Sequence, residues 1–193
     1  MGDVVVSVEE HSNGSKIRTK DNSVEVVLSD GAQWYVDQRT YAGDVVDAVN
    51  RDGDVGIQAK AGAKAEIAVV VWLSDHLPDG WDWDWYTDDL HSDIILISPQ
   101  GDAIKVDVKA RIGDKTVGRD LLVEPRRYSS DEIYDSDVYI QCIVYGPVVT
   151  INGWASRDDA MFADWFELAK SHDTKLIPKE DLRSLSSLFE LSG

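Results

Sequence analysis

The residues able to do chemistry concentrate in the run Lys105-Val106-Asp107-Val108-Lys109 and in Asp93 upstream of it. Side chains alternate across a β-strand, so Lys105, Asp107 and Lys109 share one face while Val106 and Val108 take the other. Between the two acids lies Ser98-Pro99-Gln100-Gly101, a turn with proline at its favoured second position. It folds a strand over residues 93–97 back on a strand over 103–110 and carries the Asp93 carboxylate toward Asp107. Two carboxylates that close repel unless one is protonated or a cation sits between them. A hard divalent ion with oxygen ligands, Mg²⁺ or Mn²⁺, suits that arrangement. Lys109 then stands beside a metal-bound water, placed to orient it or to stabilise developing negative charge. The plainer alternative is a solvated strand face on which Asp107 and Lys109 form a salt bridge.

An acid on one strand followed by Asp-x-Lys on the next resembles the signature of the PD-(D/E)XK nuclease superfamily, with Asp93 as the first acid and Asp107-Val108-Lys109 as the second element. The likeness runs over residues 59–185. Gly62-Ala63-Lys64-Ala65-Glu66 at the head of an apolar helix matches the family's Glu-bearing helix. The runs YIQCIVY and VVTINGWAS, then Ser156-Arg157-Asp158-Asp159 and IPKEDL, match its closing half. The resemblance implies a restriction-endonuclease-like core and metal-dependent hydrolysis of phosphodiester bonds in nucleic acid, DNA by expectation. It implies Mg²⁺ (or Mn²⁺) held by Asp93, Asp107, the Val108 carbonyl and Glu66, with Lys109 catalytic. Two departures accompany it. His91-Ser92 stands where the family has proline, and the literal Pro78-Asp79 belongs to a turn ahead of the tryptophan run.

Around these residues the chain reads as α/β: a central mixed sheet flanked by helices, with residues 1–30 an N-terminal β-hairpin extension and 31–193 the nuclease-like domain. β-rich runs at 3–8 and 24–28 are joined by the polar stretch 11–22. Val45, Val46 and Val49 carry part of a helical pattern that ends near 50–53, and Gly31 opens a segment of unassigned structure. Residues 59–76 form the clearest helix, terminated by Pro78 and Gly80. Strands follow over 138–145 and 148–155. A capping-box signal at Ser156 then precedes Phe162, Trp165, Phe166 and Ala169 at helical spacing. The tail, 175–189, reads as a short extended piece and a last helix beginning near Pro178.

Composition bounds the partners. Hydrophobic residues make up 43% of the 193-residue chain, enough for a sizeable core. No apolar run approaches the ~20 residues of a membrane span, and the first ten residues lack the marks of a signal peptide. Cys142 stands alone, which excludes an internal disulfide and a thiolate-rich zinc site. In its apolar run it reads as a small core residue. These features fit a cytoplasmic protein; a homodimer is compatible with them. Acids outnumber bases 36 to 19, for a formal net charge of −17, and counting along the chain gives 27 Asp against 9 Glu. Carboxylates scattered this evenly suit a halophilic setting, where ~1 M salt shortens the Debye length to ~3 Å. The same charge opposes a nucleic-acid ligand, which ordinarily calls for a basic footprint.

Weaker signals complete the inventory. Trp81, Trp83 and Trp85 alternate with Asp82 and Asp84, as a stacking platform or as packing. Arg119, Arg126 and Arg127 form a basic cluster able to contact phosphate or to pair with nearby acids. His11, His76, His91 and His172 lack metal-ligand or triad spacing, and Gln141, beside Cys142 on a later strand, stands where the resemblance implies that a polar residue is sometimes used. Two other classes of function stay open: a catalytically inactive nuclease-fold protein used for DNA binding or assembly, and a virion-type structural or interaction protein.

Overall fold

The computed structural model of the chain describes residues 7–10, 13–20, 23–42, 55–85, 92–113, 120–128, 131–167 and 173–191. The expected helical pattern around 45–49, most of the 3–8 run, and His11, His91, Arg119, Ala169 and His172 lie outside them. The fold is α/β, with a large mixed sheet flanked by helices. In chain order the strands are β1 (Ser7–Glu10), β2 (Lys16–Lys20), β3 (Ser23–Val27), β4 (Asp82–Asp84), β5 (Ile94–Ile97), β6 (Ala103–Ile112), β7 (Leu121–Val123), β8 (Arg126–Tyr128), β9 (Asp131–Ile133), β10 (Val138–Tyr145), β11 (Val148–Ser156), β12 (Asp164–Glu167) and β13 (Asp173–Ile177). The helices are α1 (Asp30–Ala42), α2 (Val55–His76) and α3 (Arg157–Phe162). Eight strands form one sheet in the order β1-β2-β3-β11-β10-β6-β5-β4; β12-β13-β7 and β8-β9 make two smaller sheets.

β4, β5 and β6 run as an antiparallel meander, whereas β10 lies parallel to β6. The parallel direction follows from two bonds, Asp137 N–H to the Lys105 carbonyl and Gly113 N–H to the Val144 carbonyl, which advance together along both strands. Among the described residues of that crossover, 120–128 and 131–137, the regular elements are strands β7 to β9 and not a helix.

Contacts divide the chain into two compact units. The first comprises residues 1–76, 110–117 and 142–151. Here the sequence expectation needs correcting, because the polar stretch 11–22 contains β2, so the N-terminus is a three-stranded antiparallel piece and not a hairpin with a long loop. Ile17 is the one buried apolar side chain of β2, too little alternation to announce a strand; hydrogen bonds from β1 and β3 on either side make it one. The unassigned segment after Gly31 is α1, with Ala32 and Val36 buried. α2 starts four residues earlier than its Ala-rich pattern suggests. It packs against α1 and β3. Ala61, Ala65, Ala68, Val69 and Trp72 follow one helical stripe, and Ile67, Val71 and Leu73 widen it. Each large side chain buried there contributes about 1.5–3 kcal/mol.

The second unit comprises residues 77–109, 118–141 and 152–193. Its core joins Leu121, Val123, Tyr134, Tyr139, Ala155, Ala160, Ile177 and Leu182. The capping box at Ser156 is present in full: the Ser156 hydroxyl accepts from the Asp159 amide, and the Asp159 carboxylate accepts from the Ser156 amide. The helix it opens is shorter than its sequence spacing suggests. α3 ends at Phe162, and Trp165 and Phe166 sit in β12, paired with β13. Phe162 is 85% exposed, and Trp165 and Phe166 are also exposed, so their helical spacing marks no buried stripe. The expected last helix is a 3-10 turn at Lys179–Asp181 after Pro178 and a 3-10 helix at Leu185–Leu191. No described helix is long and apolar enough to cross a membrane.

Candidate metal-binding and catalytic site

The site is built on the β5–β6 hairpin. Its turn forms as the sequence dictates, with Gly101 N–H donating to the Ser98 carbonyl at 2.9 Å and Gly101 at φ +88°. The Ser98 hydroxyl also accepts from the amides of Gln100 and Asp102, which stiffens the bend. Register then follows, with Ile94 opposite Val106 and Ile95 opposite Lys105. Ile94, Leu96, Val106 and Val108 are buried on one face, leaving Lys105, Asp107 and Lys109 half-buried on the other.

Asp93 immediately precedes β5. Its amide donates to the Val106 carbonyl at 2.9 Å, and its Oδ2 accepts from the Val108 amide at 2.7 Å. The carboxylate thus stands in for the strand neighbour that β6 loses where β5 begins. In extended backbone the N–H and C=O of one residue point to the same side, so the Val108 carbonyl opens on the edge where Asp93 stands. An ionised carboxylate accepts at about four lone-pair positions, so one amide does not saturate Asp93. Next to Val108, Asp107 Oδ2 meets Lys109 Nζ at 2.6 Å, as strand alternation requires. The structure therefore brings Asp93, Asp107, Val108 and Lys109 together.

Glu66 belongs to the first unit. It lies on the least buried lane of α2, in line with Gly62, Val70 and Ser74, and that placement by itself accounts for a charge within an apolar helix. Among the described residues, no group of three or more His, Cys, Asp or Glu is arranged to hold a metal ion. The donor chemistry at Asp93, Asp107 and the Val108 carbonyl still suits a hard divalent cation, since Mg²⁺ is commonly held through one or two carboxylates and keeps several waters.

No protein-family model matches this chain, and neither a curated protein nor a solved structure matches it. The site's reading rests on its own geometry.

Sequence reasoning missed two members of the surroundings. Burial pushes the Tyr139 hydroxyl up to about 12, and the charge of Asp107 adds to that; a bond from the Ser136 backbone and the charge of Arg157 pull the other way. Tyr139 therefore stays a neutral donor within the field of Asp107 at any physiological pH. Asp137 is the second. Its Oδ2 accepts from the Lys105 amide at 2.9 Å and its Oδ1 from Arg157 Nη2 at 2.7 Å, while Arg157 Nε donates to the Ser136 carbonyl at 3.1 Å. This clamp fixes the start of β6 to the start of α3. Neither residue has a local signature, because both reach the site through the non-local pairing of β10 with β6.

Trp81, His76 and Cys142 sit in packed surroundings. Trp81 meets Phe189 edge-on at 5.3 Å, and Trp83 lies opposite Leu96 in β5. His76 stacks on Trp72, and its Nδ1 is 2.9 Å from the Trp72 carbonyl. Cys142 is fully buried, the core residue its run suggests. Arg126 and Arg127 lie in β8.

Proposed function

We propose that the chain is a metal-dependent nuclease on a restriction-endonuclease-like core, hydrolysing phosphodiester bonds of DNA with Mg²⁺ or Mn²⁺. The observation that carries this reading is the placement of the Asp93 carboxylate at the Val108 amide, beside the Asp107–Lys109 pair. An acid, an Asp-x-Lys and a strand carbonyl belong to adjoining residues of one hairpin. Asp93, Asp107 and the Val108 carbonyl would hold the ion, which when bound supplies an acidified water and positive charge against the phosphate. Lys109 supplies a donor that can turn from Asp107 Oδ2 to a phosphate oxygen or to the attacking water. Tyr139, neutral and buried, keeps its proton and adds no charge near Asp107. The net charge of −17 makes binding depend on the ion and short-range contacts, with little help from a long-range field.

A second reading has an observation of its own. The ion pair at 2.6 Å already neutralises Asp107, as in a nuclease-fold protein that binds DNA or assembles with partners and does not cut. One experiment separates the two: labelled DNA and RNA incubated in molar KCl with Mn²⁺ or with EDTA, for the wild type and Asp107→Ala. The nuclease reading expects Mn²⁺-dependent cleavage lost in the variant with the fold intact. Cleavage that survives Asp107→Ala at saturating metal sinks it.

A further inference from the structure

The three-stranded sheet of the second unit ends on a strand that hides little of itself. β12 is its edge, in the order β12-β13-β7, and among the described residues no strand pairs with its outer side. Every second residue of such a strand turns its N–H and C=O outward. Successive side chains take opposite faces, so Asp164 and Phe166 share one face while Trp165 and the residue opposite it, Lys175, share the other. Trp165 and Phe166 are 42% and 43% exposed, so neither face buries its aromatic ring. Met161 and Phe162, just before the strand, are exposed as well.

This segment is held in shape by buried polar groups. Lys175 is 6% exposed. Its ammonium donates to the Ala163 carbonyl at 3.0 Å and to the Met161 carbonyl at 3.3 Å, and lies 4.2 Å from the centre of the Trp165 ring. Two carbonyls and a π face account for its three protons, with no carboxylate among them. The Thr174 hydroxyl, also buried, donates to the Phe166 carbonyl at 3.1 Å. Burying a charge is unfavourable, and here the charge fixes residues whose side chains face solvent. A patch ordered during folding loses less entropy when a partner arrives.

The geometry selects the kind of partner. A flat surface reaches only one face of such a strand, whereas an added strand sets its own alternating side chains beside Trp165 on one face and Phe166 on the other. Charge selects its composition. Asp158 and Asp164 are exposed next to the aromatics, and the whole chain carries a net charge of −17, so a second copy would bring like charges together. Cationic side chains on the Asp164–Phe166 face meet a carboxylate and an aromatic ring. Aliphatic side chains suit the Trp165 face, where Lys175 already supplies a cation. We propose that β12 is a docking edge for an extended basic segment of a partner protein, alternating Lys or Arg with aliphatic residues, which joins this sheet as an added strand. The proposal is independent of the nuclease reading, since none of these residues belongs to the Asp93–Asp107–Lys109 set.

Isothermal titration calorimetry of the full chain against a blocked peptide of alternating lysine and valine tests the proposal, with a glutamate–valine peptide as control. The lysine peptide should bind and the glutamate peptide should not. Trp165→Ser with Phe166→Ser should weaken binding at least about tenfold while the circular dichroism spectrum stays unchanged. No binding of the lysine peptide at about 1 mM, equal binding of both peptides, or full binding by the folded double variant overturns the proposal. A wild-type dimer in sedimentation equilibrium that the double variant loses would assign the patch to a second copy and overturn it too. So would co-sedimentation with phosphatidylglycerol vesicles that the same variant abolishes. Should the double variant fail to fold, amide shifts of the wild type decide: peptide-induced changes centred on residues 161–167 support the docking edge, and changes centred elsewhere overturn it.

Discussion

Two acid–base pairs in the second unit have nearly equal lengths and opposite meanings. Lys109 meets Asp107 at 2.6 Å, and Arg183 meets Asp159 at 2.7 Å. Asp159 is tied into the fold from several directions: its carboxylate accepts from the Ser156 amide, the Ser156 hydroxyl and Arg183, and Arg183 also lies over the Trp154 ring at 4.6 Å. It completes the capping box of α3 and fastens the C-terminal segment to that helix. The Asp107–Lys109 pair joins neighbours on one face of a single strand whose backbone is already held by β10 and by the Asp93 carboxylate. One pair connects elements, while the other connects nothing that the sheet does not connect. Charges kept at a place where they add little to the fold are the ones to suspect of chemistry.

Substitutions can break this contrast, and the largest effect expected is on cleavage. Asp107→Ala should abolish it, and Lys109→Ala should lower it by roughly 10²–10³-fold, the usual cost of removing one charge-stabilising donor. Asp159→Ala should leave cleavage per folded molecule unchanged. If gel assays show the two acids equally dispensable, or equally essential, the contrast fails. On stability the order reverses. Asp159→Ala removes one half of the capping box and an ion pair, so Tm should fall by roughly 3–10 °C in calorimetry.

Acid provides the next effect in size. Burial tends to raise the Asp159 pKa, but the bonds from Ser156 and the charge of Arg183 outweigh it and hold the carboxyl below its ordinary value. A folded-state pKa below the unfolded one means that the stabilisation is complete above about pH 4 and disappears as pH falls through the folded value. Urea midpoints between about pH 5 and 2 should drop less steeply for Asp159→Asn than for the wild type. Equal slopes would show that Asp159 contributes nothing there. Smallest of all is the stability change of Lys109→Ala, within about 0.5 kcal/mol by urea unfolding.

The parts legible in the sequence were those whose pattern and structure share one cause. The β5–β6 hairpin follows from alternation around a Pro-Gly turn, and α2 from an unbroken apolar stripe. β10 and β11 were legible as apolar runs split by Gly146-Pro147. Trp165 and Phe166 misled because a helical spacing of apolar residues ordinarily signals a buried face, and here they are exposed on a strand made by β13. β2 was hidden because its partners, and not its own composition, make it a strand. The proximity of Asp93 to Asp107 could be read from a short turn. Tyr139 and Asp137 could not, since a parallel pairing across the intervening β7 to β9 has no local trace. Nor can an apolar run reveal that the amide of Gln141 finds no partner among the described residues.

β3 pairs with β11 in the register Val27 opposite Val148 and Val24 opposite Ile151, more than a hundred residues apart. Ribosomes add roughly 5–20 residues per second, so a finished β3 waits on the order of 10 s for the strand that covers its second edge. During that interval the N-terminal piece is an open edge in a crowded compartment, and its contacts with β2 and α2 must hold it unaided. Nascent chains stalled with only residues 1–145 outside the exit tunnel should remain protease-sensitive in β1 to β3, and chains stalled with residue 156 exposed should not. The birth order of the strands, as much as their final order in the sheet, is a constraint this sequence has to meet.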